Sequence, residues 1–412
     1  MNIRTDADTV IREAIEAVLP DSAVRRALET HDFGNGEGKI YVVAIGKAAW
    51  QMCKAATDIL GDRITDGVVV TKYDHVLHEL PHIRCYEAGH PVPDDNSFKA
   101  TQAAIDLIKD LNPSDHVLFL VSGGGSALFE QPVIDPSELQ DITSQLLACA
   151  ADIVEINTIR KRLSAVKGGR FAKLCAPAQV FSVVLSDIIG DPLDMIASGP
   201  AYPDSSTAAD ALAIVNKYNL KMSDKARECL NVETPKELDN VETIITGSVR
   251  ELCKAASDAC KRLGYEPRIL TDTLSIEASD AGRWLAGLAL DEQASDTSLA
   301  IIAGGETVVH LKGNGRGGRN QELALAATEQ LANMKDTAIF SVGSDGTDGP
   351  TDAAGGYVDN TSLSAFLNKG LDVNAYLDNN DAYNALKEIG GLIITGPTGT
   401  NVNDVAVVLI KR

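Results

Sequence analysis

The ten residues GNGRGGRNQE, Gly313 to Glu322, combine four glycines with two arginines and run into the helical pattern ELALAATEQLANM. Side chains nearly abolished while two guanidinium groups are kept suit the capture of an anion by main-chain amides and fixed positive charge. Further on, SDGTDGPTDAAGG sets Asp345, Asp348 and Asp352 in a glycine-rich loop. Such a pattern fits Mg²⁺ held together with substrate phosphates or, more blandly, Asx turns on a solvated surface. Arginines and carboxylates following neighbouring strands are the equipment of phosphoryl transfer, in which positioning and charge neutralisation supply most of the catalysis. The decapeptide also contains G-x-G-x-x-G (Gly313, Gly315, Gly318) after a strand-like VVHL, so a dinucleotide fingerprint with Asp345 on a ribose competes. Arg316 and Arg319 would crowd the backbone approach which that fingerprint needs.

Other strand-ending loops repeat the theme. SGGGSALFE, Ser122 to Glu130, reads as strand, glycine turn and helix, so Ser122, Gly123, Gly124, Gly125 and Ser126 could cradle a phosphate or carboxylate at a helix N-terminus. A tight turn with no ligand is the alternative. Lys47 in AIGK stands at a strand-to-helix junction, where its ammonium could meet an anion as a point charge. AIGK does not complete a P-loop, because Tyr41 stands where the first glycine would be. INTIRKRLSAVKGGRFAKL carries Arg160, Lys161, Arg162, Lys167 and Arg170, either as a pocket wall or as a surface face paired with acids. Asp187 follows the run FSVVLS and offers a second carboxylate locus for metal or nucleotide. His75, His78 and His82 are too loosely spaced for a zinc site. No G-x-S-x-G elbow points to a serine hydrolase.

These loops must be positioned by a buried sheet. Apolar runs of strand length (KIYVVAIG, DGVVVT, HVLFLVSG, FSVVLSD) alternate with helical periodicity, the pattern of β-α-β units and an α/β fold. The polar stretch from Lys217 to Asn240 holds no strand-like run and marks a boundary, after which VETIITGS opens a second, smaller α/β series. The expected domains are 1–236 and 237–412, consistent with a 412-residue chain exceeding one ordinary core. A net charge of −21 argues against nucleic acid and anionic membranes as partners, so a small anion must be caught by local Arg and Lys. Seven scattered cysteines without a C-x-x-C pair read as reduced core residues. The opening MNIRTDADTVIREAIEAVL reads as an amphipathic helix rather than a targeting segment, and the cytoplasm is the expected location.

Taken in order, VVAIGKAA, LVSGGGSAL, INTIRKRLSAVKGGRFA, VVLSDIIGDPLDMIASGP, AGGETVVHLKGNGRGGRNQELALA, VGSDGTDGPTDAAGG and TGPTGTNVNDV resemble the class II glycerate 2-kinases. Members of that family were long labelled hydroxypyruvate reductases, and their C-terminal part is the MOFRL domain. The resemblance, from about Val42 to the end, implies transfer of the ATP γ-phosphate to the 2-hydroxyl of D-glycerate with Mg²⁺. It implies two α/β domains, the first a Rossmann-like three-layer sandwich with a mainly parallel sheet, the second a smaller MOFRL-type domain, and an active site in the interdomain cleft. The family's catalytic lysine matches Lys47, and its key arginine falls in GRGGRNQE, with Arg319 preferred and Arg316 second. On chemistry alone, Asp345 is the candidate base and Asp187 and Asp348 the candidate metal ligands. Ser122 to Ser126, Arg160, Arg316 and Asn320 are the expected binders of substrate or nucleotide. NAD(P)H-dependent hydroxypyruvate reduction is the runner-up activity. A homodimer is left open.

Overall fold

In a computed structural model that describes residues 2–34 and 38–412, the run IYVVAI forms β1 (Ile40–Ile45). Its residues divide between two cores. Val42 and Ala44 pack with the helix Ala49–Leu60, and Val43 and Ile45 face the helix Asp95–Leu107, so both faces of the sheet are covered. Doubly covered strands lose their polar alternation, and this makes the apolar runs legible in the sequence. The other strands of this sheet are β2 (Ile64–Lys72), β3 (Ile83–Ala88), β4 (His116–Val121), β5 (Gln179–Leu185) and β6 (Val241–Gly247), in the order β3-β2-β1-β4-β5-β6. The pairings β2–β3, β1–β2, β1–β4 and β4–β5 are parallel. The order reverses between β1 and β4, and ligands of open α/β sheets collect outside the carboxyl ends of strands at such a switch point.

The second sheet is mixed. Its strands are β7 (Glu266–Leu274), β8 (Leu299–Gly305), β9 (Thr337–Gly343), β10 (Gly355–Asp359), β11 (Leu392–Ile393) and β12 (Asp404–Ile410), in the order β11-β10-β9-β12-β8-β7. β12 runs antiparallel to both β8 and β9, and β7 is parallel to β8. Along β12, Val405, Val407 and Leu409 enter one core with the helices Ile3–Ala17 and Val249–Arg262, while Ala406, Val408 and Ile410 enter the other with Ala278–Asp291 and Arg319–Leu331.

The chain divides into two compact units, residues 23–185 with 191–246, and residues up to Ser22 with 186–190 and 247–412. This departs from the expected cut at 236/237. VETIITG, expected to open the second domain, is the edge strand β6 of the first sheet, and the opening helix packs in the second unit. That helix buries Ala7, Val10, Ile11, Ala14 and Ile15 at helical spacing, and its buried Asp6 accepts from Tyr265 at 2.7 Å and from Lys411 at 2.5 Å. VVHL, expected as a strand, makes only a single bridge, Glu277 with Val308. All seven cysteines are free, and Cys53, Cys175, Cys253 and Cys260 are buried as expected, whereas Cys149 is exposed. Among the described residues, no helix is long and apolar enough to cross a membrane.

Candidate active site

In the first unit the switch point brings the turns after β1 and β4 together. Lys47 N donates to Gly123 O at 2.8 Å, and Ser122 N donates to Ile45 O at 3.0 Å. Ser122 Oγ accepts from Ala48 N at 3.0 Å and donates to Ile45 O at 3.2 Å. The buried Ser122 hydroxyl, within the turn expected to cradle a ligand, therefore locks the Lys47 turn. Gly46, at φ 108°, has no room for a side chain, since a Cβ there would lie 2.4 Å from Ser122 O. Gly124 is bordered by the Lys47 side chain and the His90 ring, each 3.1 Å from where its Cβ would stand. Half-buried Lys47, Gly123 and Gly124 and exposed His90 thus share one surface. The helix after this turn spans only Gly125–Leu128, so the expected dipole at its start is weak: four residues align few peptide units.

Behind the turn lies a buried ion cluster. Lys167 Nζ donates to Ser126 O at 2.8 Å and Phe129 O at 2.9 Å, and Arg160 Nη2 donates to Ser126 O at 3.1 Å. Both cations flank the fully buried Glu130 carboxylate, at 3.4 and 3.7 Å. Burial pushes Lys167 down to about 8. Arg160, expected to bind substrate, here clamps the main chain of the glycine turn. Ser126 Oγ meets Ser198 Oγ at 2.9 Å. Lys161 and Arg162 are buried on Asp204, at 3.1 and 3.6 Å, so this part of the basic run forms an interior network rather than a solvated face.

In the second unit the glycines of GNGRGGRNQE make room for the chain itself. Gly313 N and Lys312 N donate to Asn380 Oδ1, Gly315 N to Asn379 O, and Arg316 N to Asp381 Oδ1. A Cβ on Gly315 would lie 2.4 Å from Asp381 Cβ, and one on Gly318 2.3 Å from Asp348 Cγ. At the start of the helix Arg319–Leu331, Asp348 accepts from Asn320 N at 3.1 Å, Asn320 Nδ2 at 3.3 Å, Gln321 N at 2.8 Å and Gln321 Nε2 at 2.9 Å. The anion at this helix terminus is the protein's own carboxylate. Four donors engage the lone pairs of Asp348, expected as a metal ligand, so in this structure it serves as the helix cap. Asn320 is buried, with Oδ1 accepting from Ser341 Oγ at 2.5 Å, and holds structure rather than ligand. Exposed Arg316 lies over the Tyr383 ring at 4.5 Å and donates to Pro350 O. With the helix amides consumed and the glycines filled by protein, no dinucleotide turn exists here.

Arg319 is gripped by two acids. Nε and Nη2 pair with Asp404 at 2.5 and 3.1 Å, and Nη1 donates to Glu306 at 2.9 Å. Burial pushes Asp404 up to about 6 against the pull of this guanidinium. Three of five guanidinium protons are engaged, leaving one on each terminal nitrogen for an incoming anion. Asn403 Nδ2 donates to Asp187 O at 3.3 Å and Glu306 Oε2 at 3.4 Å, which brings Asp187 to the same cluster. Asp345 and Asp404 flank Gly343, with Oδ1 atoms 3.3 and 3.4 Å from where its Cβ would stand. One Asp345 oxygen accepts from Thr347 N at 2.9 Å, the Asx turn weighed as the bland alternative. Among the described residues, no group of three or more His, Cys, Asp or Glu side chains could hold a metal.

The comparisons bear on both units. The family model described as a domain of unknown function (DUF4147) matches residues 6–231, and the MOFRL family model matches residues 299–404. A D-glycerate 2-kinase of Thermotoga maritima is 50% identical over 407 residues, 97% of each chain. The chain belongs to the MOFRL-bearing glycerate 2-kinase family. A family member from Pyrococcus horikoshii, named glycerate 2-kinase, is 40% identical over 100% of this chain and 98% of its own. The crystal structure of a T. maritima glycerate kinase superposes with a TM-score of 0.92 at 49% identity, covering 98% of this chain and 99% of that one. A relative from Agrobacterium vitis, 37% identical over 98% of this chain and 94% of its own, carries the name hydroxypyruvate reductase.

Against this family frame, sequence reading missed Glu306 and Asp404 as partners of Arg319, Glu130 as the counter-charge behind the glycine turn, and His90 beside Lys47. Glu306 stood in view directly after β8. His90 follows β3, whose run IRCYEA is too polar to stand out as a strand. Asp404 opens the last strand, and nothing in NVNDVAVV shows which side chain it faces.

Proposed function

We propose that the chain transfers the γ-phosphoryl group of MgATP to the 2-hydroxyl of D-glycerate, giving 2-phosphoglycerate and ADP. The match to a D-glycerate 2-kinase along 97% of the chain carries this reading. Chemically, the glycerate oxygen forms a bond to phosphorus as the bond to the ADP oxygen breaks, and the hydroxyl proton leaves to a base. Lys47, whose main chain is held by the Gly123 carbonyl at the switch point, supplies positive charge from its side chain. Arg319, oriented by Asp404 and Glu306, offers its two remaining N–H groups to anionic oxygen. Asp345, with one oxygen outside the Thr347 hydrogen bond, is the proposed proton acceptor.

Magnesium enters as part of the nucleotide substrate, because Mg²⁺ is commonly held by one or two carboxylates together with phosphates rather than by a protein cage. Asp348 does not fit as a ligand, and Asp187 is the proposed contact. The ion neutralises phosphate charge. Hydride transfer has no support at GNGRGGRNQE, where protein atoms occupy the space a pyrophosphate would take.

The test combines purified protein, D-glycerate, ATP and Mg²⁺ with enolase and no mutase. Enolase consumes only the 2-phospho isomer, so a signal identifies both reaction and position. Hydroxypyruvate-dependent NADH oxidation with no ADP formed would overturn the proposal.

A further inference from the structure

Away from these clusters, the first unit holds a cavity of about 580 Å³ lined by Val133, Arg162, Arg170, Lys173, Cys229 and Val232 among others. Its size falls in the range of about 300–1,000 Å³ that small-molecule sites occupy. The lining is mostly apolar, and Leu174 and Val232 at the site are exposed large hydrophobic residues. Into this apolar space the protein sets three cations and one acid, Glu233, which is paired with Arg162.

Their charges are unevenly matched. Arg162 is fully buried and paired with Asp204 at 3.6 Å and Glu233 at 3.3 Å, yet its Nε has no hydrogen-bond partner among the described residues. Arg170 Nη1 donates to the Arg162 and Ser164 carbonyls at 3.4 and 2.7 Å, and no carboxylate pairs with it among the described residues. Lys173 is exposed at the same cavity. Burial, with the like charge of Arg162, holds the Arg170 guanidinium below its usual range, as expected of a cation lacking a counter-ion. In a chain of net charge −21, the half-buried Arg170 guanidinium beside an apolar cavity is a costly arrangement that a bound anion would relieve, and exposed Lys173 adds positive charge at the same place.

We infer that this cavity is a second ligand site, distinct from the phosphoryl-transfer clusters, for a phosphate monoester with an apolar body. Such an ester carries about two negative charges near neutral pH, matching the surplus of Arg170 and Lys173, and guanidinium groups suit its planar sets of oxygens. The apolar remainder covers Val133, Leu174 and Val232. The inference is independent of which reaction the protein catalyses.

Cys229 reports occupancy directly. Native protein saturated with ATP and D-glycerate is alkylated with iodoacetamide, and each cysteine is followed by peptide mass spectrometry, with exposed Cys149 as internal reference. Phenyl phosphate at about 10 mM is expected to slow modification of Cys229 at least about threefold relative to Cys149, the occupancy of a millimolar site. Phenol and inorganic phosphate leave the rate unchanged, and Lys173→Gln abolishes the protection. Phosphorus NMR line broadening of phenyl phosphate in the same samples gives a second measure. Unchanged Cys229 reactivity, equal protection by phenol or inorganic phosphate, or equal broadening with wild type and Lys173→Gln would each overturn the inference. Lys173 is exposed, so its replacement leaves the fold intact, whereas Arg170→Gln serves as a confirming variant only where its melting is unchanged.

Discussion

At the scale of single residues, the informative feature is charge held ready by other charge. Asp404 and Glu306 set the Arg319 guanidinium, so in the proposed reaction it would present a cation without the cost of ordering it, whereas Lys47 has its main chain fixed and its ammonium free to move to the anion. Arg319→Ala should lower kcat at least about 10³-fold, the scale on which charge-stabilising arginines act in phosphoryl transfer, and Lys47→Ala should lower it with the fold intact. Steady-state kinetics read both, and wild-type turnover in Arg319→Ala would move the role to Arg316. Asp404 makes a pH prediction. The folded chain holds its proton up to about 6, where the unfolded chain has lost it near 3.8. Stability from this group is therefore present in full below about pH 4 and lost as pH rises through about 6. Urea melts of wild type and Asp404→Asn should show the wild-type value falling relative to the variant across that window, then running level. A relative rise would contradict the assignment.

At the scale of elements, glycine-rich loops here serve chain-to-chain approach as much as ligand approach. The segment 313–318 lies against 379–382 and Asp348 so closely that single methyl groups cannot be accommodated. Gly318→Ala should cost about 1–3 kcal/mol by forcing Asp348 from the helix amides it caps, and the variant's denaturation midpoint measures it. A neutral substitution would mean the cap tolerates displacement. The same element shows how far the site could be read in advance. Lys47 and Asp345 stood out as candidates because they follow buried strands, whose apolar runs are visible in sequence, and Arg319 because it ends a glycine-rich loop that opens a helix. The capping role of Asp348 was not legible, because a carboxylate in a glycine loop looks the same whether it caps a helix or holds a metal. The locking role of Ser122 was hidden for a parallel reason: its hydroxyl faces the neighbouring β1 turn, a contact made across 74 positions to Ala48.

At the scale of the whole molecule, the division into units does not follow the order of the chain. The helix Ile3–Ala17 completes a core whose other members come from Val249 onward. Val10→Asp places a charge at a position with no exposure, and a cost above about 3 kcal/mol is expected. Hydrogen exchange should then show lost protection in 247–412 while 23–185 keeps its own. Equal loss in both would show that the units unfold together.

From sequence alone came the α/β class, the family and its phosphoryl-transfer chemistry, because strand burial and strand-ending motifs are local signals that survive in one dimension. Only tertiary structure decided that Asp404 and Glu306 hold Arg319, that Asp348 caps a helix, that β6 closes the first sheet and that the opening helix joins the second. Those outcomes depend on which distant segments come within a few ångströms of one another, and that proximity is set by packing.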